Sequence, residues 1–363
     1  MKIGIDGRSL QGNRTGVGRY VFELCRELDY ILPNAQFFIY SQIPLEMPVL
    51  SDRWRLRLDP FPLSKYIKSV LWLKLRCGEL CKQDNLDVFW GAGTFLPRLR
   101  HPIRKIITVY DLNYKIVPES MVTTHRWAYL LFFKKDIHVA DTILTISEGT
   151  ANRLCEITGR KTAAIIKPAI NSIFRPMDKK EIQNCLNSYN ITGPYILAVA
   201  TWEPRKNLEL LVKTFMSMKK EGLLPFHRLI LIGRKGWKDK ELHSLVMKNK
   251  EQSIISLGFL PDEHLPSLYS GADVFVFPSS YEGFGMPVLE ALSCGAKVVT
   301  TDTPELREAG GPYATYITPT IEGIRNGILK SLAQTSTNNT IEIKPPSWRQ
   351  GATTLSLALR GEL

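Results

Sequence analysis

Two rhythms of apolar residues run through this chain. Short stretches that are almost wholly apolar or β-branched punctuate the first half: KIGID, QFFIY, LDVFW, RKIITVYD, DTILTIS and AAIIKPA. Their length and composition predict buried strands. Between them apolar residues return every three or four positions, as in GVGRYVFELCRELDYIL, which predicts amphipathic helices. The second half repeats the scheme with the strands YILAVAT, HRLILIG, SIISLG, DVFVFPS and AKVVTT and the helices NLELLVKTFMSMKK, DKELHSLVMKN and VLEALSCG. Strand–helix alternation predicts parallel sheets covered by helices on both faces, and here it occurs twice. The rhythm breaks at FRPMDKK, around residues 174 to 180, which assigns 1–175 and 176–345 to two domains. A length of 363 residues supports the same division, since one hydrophobic core rarely serves so many. Two doubly wound α/β domains facing each other across a cleft are expected, with ligands outside the carboxyl ends of the strands. The polar run TSTNNTIEIKPP leads to a last helical pattern in SWRQGATTLSLALRG, which either closes the second domain or crosses back to the first.

Charge sharpens the picture once it is divided along the chain. Residues 1–175 hold 26 Lys and Arg against 16 Asp and Glu, so +10 of the overall +12 belongs to the first domain. Nucleic acid, an anionic membrane surface or an anionic substrate would each suit that asymmetry. The six cysteines are scattered without a C-x-x-C pair, which predicts reduced thiols rather than a disulfide framework or a zinc site. The opening MKIGID begins a strand at once, and no apolar stretch reaches the roughly 20 residues of a membrane-spanning helix. A soluble cytoplasmic protein is expected.

Three segments carry candidate chemistry. In SSYEGFGMPVLEALSCG a buried strand pattern gives way to Glu282, then Gly283, Phe284, Gly285, Met286 and Pro287, then a helix with Glu290 expected in its first turn. Proline suits the start of a helix. A glycine-rich turn into a helix N-terminus exposes backbone N–H groups and a positive dipole end, which suits phosphate. Flanking carboxylates could accept hydrogen bonds from sugar and ribose hydroxyls; spacing alone allows a solvated loop charge and a helix-end charge equally well. In ATWEPRKNLELLVKTF, Arg205 and Lys206 lie at a second strand–helix junction, where two cations can hold a diphosphate and stabilise it as it leaves. In DGRSLQGNRTGVGRY, Gly16, Val17 and Gly18 form a third backbone-exposing loop ahead of a helix, with spacing too long for a dinucleotide turn.

Together EPRKNL, LIGRKGW, TGVGRY and GFLPDEHLPSLYSGADVFVFPSSYEGFGMPVLEALSCG resemble the family 4 glycosyltransferases of the GT-B fold, which consists of two Rossmann-like domains. The resemblance spans nearly the whole chain and is strongest over residues 195–310. It implies that Glu282 contacts donor-sugar hydroxyls and that Glu290 contacts the ribose. It implies further that the backbone from Phe284 to Pro287 binds sugar or phosphate and that Arg205 and Lys206 neutralise the diphosphate. Gly16, Val17 and Gly18 would close over the donor, and the base would lie near Gly233, Phe259 and Leu260. The final helix, within 346–363, would cross back to the first domain.

One position departs from the family pattern, which often has histidine before the aspartate of an H-D-L segment. Here Tyr110 precedes Asp111 in VYDLNY, and a tyrosine, with its ordinary pKa of about 10, is a poor base at neutral pH. His101, His125 and His138 fall in a loop or helices and are expected to be structural. Asp111 could orient the acceptor or cap the following turn. No D-x-D occurs, so no cofactor and a metal-independent transfer are expected, with retention of configuration implied by the resemblance. A front-face route would let the departing phosphate take the acceptor proton. A UDP-sugar, such as UDP-glucose, is the favoured hexose donor and GDP-mannose the next.

For the acceptor, SKYIKSVLWLKLRCGELCK interleaves Tyr66, Val70, Leu73, Cys77 and Leu80 with Lys65, Lys68, Lys74, Arg76 and Lys82, and HRWAYLLFFKKDIH adds an apolar block. Such basic amphipathic segments either pack as ordinary core helices or lie on an anionic bilayer. The expectation is peripheral attachment to the inner face of the cell membrane. A lipid-linked glycan of cell-surface polysaccharide synthesis would then be the acceptor. The rivals are a nucleotide-sugar epimerase or phosphorylase on the same fold and, more remotely, a basic nucleic-acid binder; cleft glutamates suit the last poorly.

Overall fold

A computed structural model describes residues 1–12, 16–99, 102–236, 240–249, 253–334 and 345–363. The chain forms two compact units. One holds Met1–Lys115, Thr123–Ala169 and Pro346–Leu363, the other Ile116–Val122 and Ile170–Pro345.

The first unit is built on a seven-stranded sheet. Its strands are β1 (Lys2–Asp6), β2 (Gln36–Ser41), β3 (Trp54–Leu58), β4 (Val88–Gly91), β5 (Arg104–Val109), β6 (Thr142–Thr145) and β7 (Ala164–Ile165), in the order β3-β2-β1-β4-β5-β6-β7. All pairs are parallel, with Ile3 registered against Phe37 on one side and Val88 on the other. Central strands bury both faces, which is why they read as continuous apolar runs. The run WRLRL escapes that signature because β3 is an edge strand. Trp54 is buried against Phe37, Arg57 is half-buried and paired with Asp84 at 2.8 Å, and Arg55 is exposed, where a cation keeps an edge from pairing with another chain. AAIIKPA contributes only two strand residues.

Within this unit the final helix, Trp348–Arg360, packs along the helix Gly16–Ile31. Ala352, Leu355, Ala358 and Leu359 are buried, Tyr20 meets Trp348 edge-on at 5.8 Å, and a Cβ on Gly351 would lie 3.3 Å from Leu24. Arg104 ties the helix end down by donating to the Leu359 carbonyl at 2.9 Å.

The second unit has six parallel strands: β8 (Tyr195–Val199), β9 (Arg228–Ile232), β10 (Ile254–Gly258), β11 (Val274–Phe277), β12 (Val298–Thr301) and β13 (Ala314–Ile317), in the order β10-β9-β8-β11-β12-β13. Its first helix, Lys179–Ser188, opens on a capping box in which Asp178 accepts from the Glu181 N–H at 2.8 Å and Glu181 accepts from the Asp178 N–H at 3.0 Å. Among the described residues no helix is long and apolar enough to cross a membrane.

The basic segment 64–82 is a core element on one face. Trp72, Leu73, Lys74, Cys77, Leu80 and Cys81 are buried, and the pattern that interleaved Lys74 with Leu73 and Cys77 as a cationic surface is corrected accordingly. Lys74 donates to both oxygens of Asp136 at 2.5 Å and to the Leu96 carbonyl at 2.7 Å, since a buried ammonium needs a partner at each donor. Arg76 binds Asp59 through two hydrogen bonds. Both residue runs 73–77 and 129–133 are wide π-type turns, which rotate Leu75, Leu130 and Leu131 outward to solvent.

Removing the Leu355 side chain from the interface with helix Gly16–Ile31 is expected to destabilise the first unit by about 2 to 5 kcal/mol. Urea denaturation of Leu355→Ala followed by tryptophan fluorescence measures it.

Candidate active site

Strand order explains why distant motifs meet. From β8 the chain steps outward to β9 and β10, then returns to the other side of β8 as β11. The loops leaving β8 and β11 therefore diverge at one point of the sheet, and in a doubly wound sheet ligands bind in the crevice at such a switch point. The loop after β8 carries Glu203, Arg205 and Lys206, and the loop after β11 carries Ser279 and Glu282.

Backbone hydrogen bonds fasten the two loops together. The Arg205 carbonyl accepts from the Ser280 N–H at 2.8 Å and from the Ser280 hydroxyl at 3.1 Å. Asn207, in the left-handed region at φ 52°, donates from Nδ2 to the Pro278 carbonyl at 2.9 Å. The Arg205 guanidinium donates to the Tyr281 carbonyl at 3.0 Å.

This arrangement brings four charges into contact. Glu282 Oε1 takes the Lys206 ammonium and the Ser279 hydroxyl, each at 2.5 Å, and Oε2 lies 2.8 Å from Arg205 Nη1. Glu203 Oε2 accepts from Arg205 Nε at 3.0 Å. Lys206 also sits 5.0 Å from the centre of the Phe277 ring. Burial alone would raise the Glu282 carboxyl, but Arg205 and Lys206, with the hydrogen bonds from Lys206 and Ser279, outweigh it and hold the pKa at about 2. Burial lowers the Lys206 ammonium, because the pull of Glu282 is partly cancelled by Arg205. Burial and the neighbouring Glu282 raise Glu203 despite the two cations. Sequence reading picked out three of the four members and missed Glu203, whose signal was its place two residues before Arg205.

The loop after β9 presses against the same region. Gly233 has φ 143°, and a Cβ there would lie 1.9 Å from the Ala200 carbonyl oxygen, so only glycine fits. Beyond β10, Phe259 is 60% exposed with the Arg234 guanidinium 4.2 Å from its ring centre, while Leu260 is buried.

The helix after Glu282 begins at Met286, with Pro287 in its first turn and Gly285 as cap at φ 108°. Phe284 is buried. Glu290 is the fifth helical residue, one position further in than expected and just past the first turn, because the helix starts before the proline. Its carboxylate is buried and accepts from the Tyr269 hydroxyl at 3.2 Å. Side chains on a helix lean toward its N-terminus, so a carboxylate at this position leans back over the first turn. Tyr269 was not foreseen.

In the first unit Gly16, Val17 and Gly18 form the first turn of the helix Gly16–Ile31 rather than a loop ahead of it. Gly16 is exposed with open space around it, and Gly18 is buried. Tyr110 is buried, donates its hydroxyl to the Ala92 carbonyl at 2.7 Å and meets Tyr20 edge-on at 5.4 Å; burial raises its pKa well above the ordinary value. Asp111 accepts from the backbone and side-chain amides of Asn113 at 3.2 and 3.0 Å and so caps the turn that follows β5. His125 is exposed, His138 contacts the Lys134 carbonyl, and His101 lies outside the described residues. Asp6 and Arg8, unforeseen, form a buried bidentate pair beyond the end of β1. Among the described residues no three His, Cys, Asp or Glu side chains gather into a metal-holding group.

A family model for glycosyl transferases group 1 matches residues 182–342, the span that contains Arg205, Lys206, Glu282 and Glu290. An O-antigen chain mannosyltransferase B of Escherichia coli is 32% identical over 99% of this chain and 94% of its own length. The chain belongs to the group 1 glycosyl transferases. A second member, an O-antigen chain mannosyltransferase of Salmonella typhimurium, is 27% identical over 75% of this chain and 71% of its own. A sucrose-phosphate synthase structure from Thermosynechococcus elongatus superposes with a TM-score of 0.75 at 17% identity, over 99% of this chain and 98% of that one. The fold is thus that of the GT-B glycosyltransferases, and the protein is a glycosyltransferase with the quartet at its sheet switch point.

The depressed Glu282 carboxyl gives this glycosyltransferase an acid sensitivity of known sign. A folded-state value of about 2 against an ordinary 4.5 means that ionised Glu282 stabilises the fold above pH 4.5 and loses that contribution as pH falls toward 2. The thermal midpoint is expected to drop across that window, and Glu282→Gln to flatten the drop. An equal acid slope in both proteins would show that the ion pairs do not form in solution.

Proposed function

We propose that this glycosyltransferase moves mannose, with retention of configuration, from GDP-mannose to the growing end of a cell-surface polysaccharide. The observation that carries the reading is the pair Arg205–Lys206 at the β8/β11 switch point, next to the glycine-capped helix of Glu290. Two cations and a helix N-terminus suit a diphosphate and its departure as an anion. Mannose and the guanine base take precedence over the UDP-sugar favoured by sequence because the relative spanning 94% of its own length is a mannosyltransferase. In this reading Arg205 and Lys206 take the diphosphate, Glu282 the sugar hydroxyls, Glu290 the ribose, and Phe259 with Arg234 the base beside Gly233.

In this reading Arg205, Lys206 and the helix N-terminus hold the diphosphate, and the transfer uses no divalent ion. No proton is routed through Tyr110, whose hydroxyl is engaged by Ala92. The departing phosphate oxygen takes the acceptor proton on the face where the new bond forms, and the broken bond's electron pair stays with the diphosphate. Calorimetry with GDP, UDP and ADP, each with and without EDTA, tests the donor. GDP should bind at least tenfold more tightly than the others, insensitively to EDTA, and Glu290→Ala should weaken it by about tenfold, the scale of a lost hydrogen bond to a charged group. Preference for UDP, or turnover abolished by EDTA, would overturn the corresponding half.

The acceptor in this reading is lipid-linked, met at the cytoplasmic face of a membrane. Support comes from Leu71, Leu75, Trp127, Leu130 and Leu131, all exposed, with Lys68, Lys134 and Lys135 exposed among them in sequence. Apolar side chains beside cations suit an anionic bilayer surface. Sedimentation with vesicles containing anionic phospholipid should carry down the wild type and leave a Leu71→Ser, Leu75→Ser, Leu130→Ser, Leu131→Ser variant in solution. Equal sedimentation of both would remove the membrane from the proposal.

A further inference from the structure

Arg205, Lys206, Glu203 and Glu282 sum to no net charge, although the two cations are the groups on which a diphosphate would be held. Every member is largely enclosed, with side chains 10% to 15% exposed. Both oxygens of Glu282 are taken, one by Lys206 and Ser279, the other by Arg205, and Glu203 holds the remaining edge of the guanidinium. The site therefore already contains an anion of its own. A diphosphate that enters must draw the cations away from two enclosed carboxylates, and an enclosed carboxylate left without a partner is costly.

Nucleotide sugar and spent nucleotide meet that requirement differently. The sugar of an intact donor brings hydroxyl protons, which replace for Glu282 the hydrogen bonds it gives up. A free nucleoside diphosphate brings no hydroxyl there, and its terminal phosphate carries a further ionisation near neutral pH, so it faces Glu282 as a like charge. We propose that Glu203 and Glu282 serve as a resident counter-anion that makes the site discriminate against free nucleoside diphosphate and so drives product release. The inference rests on the reading that Arg205 and Lys206 hold the diphosphate. Glu203 is here a positioning residue that acts through Arg205.

Calorimetric titration of GDP and GDP-mannose against the wild type, Glu203→Gln, Glu282→Gln and Arg205→Ala tests it, with GDP inhibition constants measured in parallel. Removing one carboxylate charge should tighten GDP by roughly tenfold, the scale of a partly screened charge at a few ångströms. In Glu203→Gln, GDP-mannose should tighten less than GDP, because it carries one negative charge fewer, so that the ratio of the two affinities moves and product inhibition deepens. In Glu282→Gln, GDP should tighten while GDP-mannose weakens, since the sugar loses its acceptor. Glu203→Gln leaves the enclosed Glu282–Lys206 pair intact and serves if Glu282→Gln fails to fold. If Arg205→Ala weakens GDP but neither glutamine variant tightens it, the resident anion is refuted and the diphosphate reading stands. If Arg205→Ala leaves GDP binding unchanged, the donor-site reading fails and this inference fails with it.

Discussion

The joint between the loops after β8 and β11 is the constraint on which the second unit's chemistry depends. Arg205 serves it twice, through a main-chain carbonyl that accepts from the Ser280 N–H and hydroxyl and through a guanidinium that reaches Tyr281, Glu203 and Glu282. The loop after β8 has only one short 3-10 turn, Pro204–Lys206, and the loop after β11 has no helix or strand before Met286. Each is fixed because the other supplies its hydrogen-bond partners, and Asn207 in its left-handed conformation turns the chain from that joint into the helix Leu208–Lys220. A lysine at 205 could supply charge but not two opposed edges of planar donors.

Much of this was legible in the residues. Parallel sheets bury both faces of their central strands, so β1, β4, β8 and β11 stood out as unbroken apolar runs. The motifs EPRKN and SSYEGFG were visible as strand-to-helix junctions. What sequence could not reveal was their meeting, which follows from strand order, a property of the folded sheet. Edge strands β3 and β13 were missed because half-exposed strands alternate and are short. Glu290 was placed one residue too early because the proline was taken as the first helical residue, whereas Met286 precedes it.

The basic first domain carries a different lesson. Lys74 and Arg76 count toward net charge yet face Asp136 and Asp59, so neither contributes a free cation to a surface. A charge tally treats enclosed and exposed residues alike, and helical spacing cannot foresee the wide turns at 73–77 and 129–133 that decide which leucines face outward. Tyr110 belongs with them: it stands where the family pattern often has histidine, and its surroundings bury it in the core.

The helix Trp348–Arg360 has a consequence for how the molecule comes into being. It covers the face of Gly16–Ile31 that holds Tyr20 and Leu24, yet it is separated from it by the whole of the second unit. On the ribosome the first unit thus emerges with that apolar face bare, and it stays bare while more than 170 further residues are translated. The second unit, all but seven residues of it continuous in sequence, has no such wait. Synthesis order and completion order are reversed between the two halves.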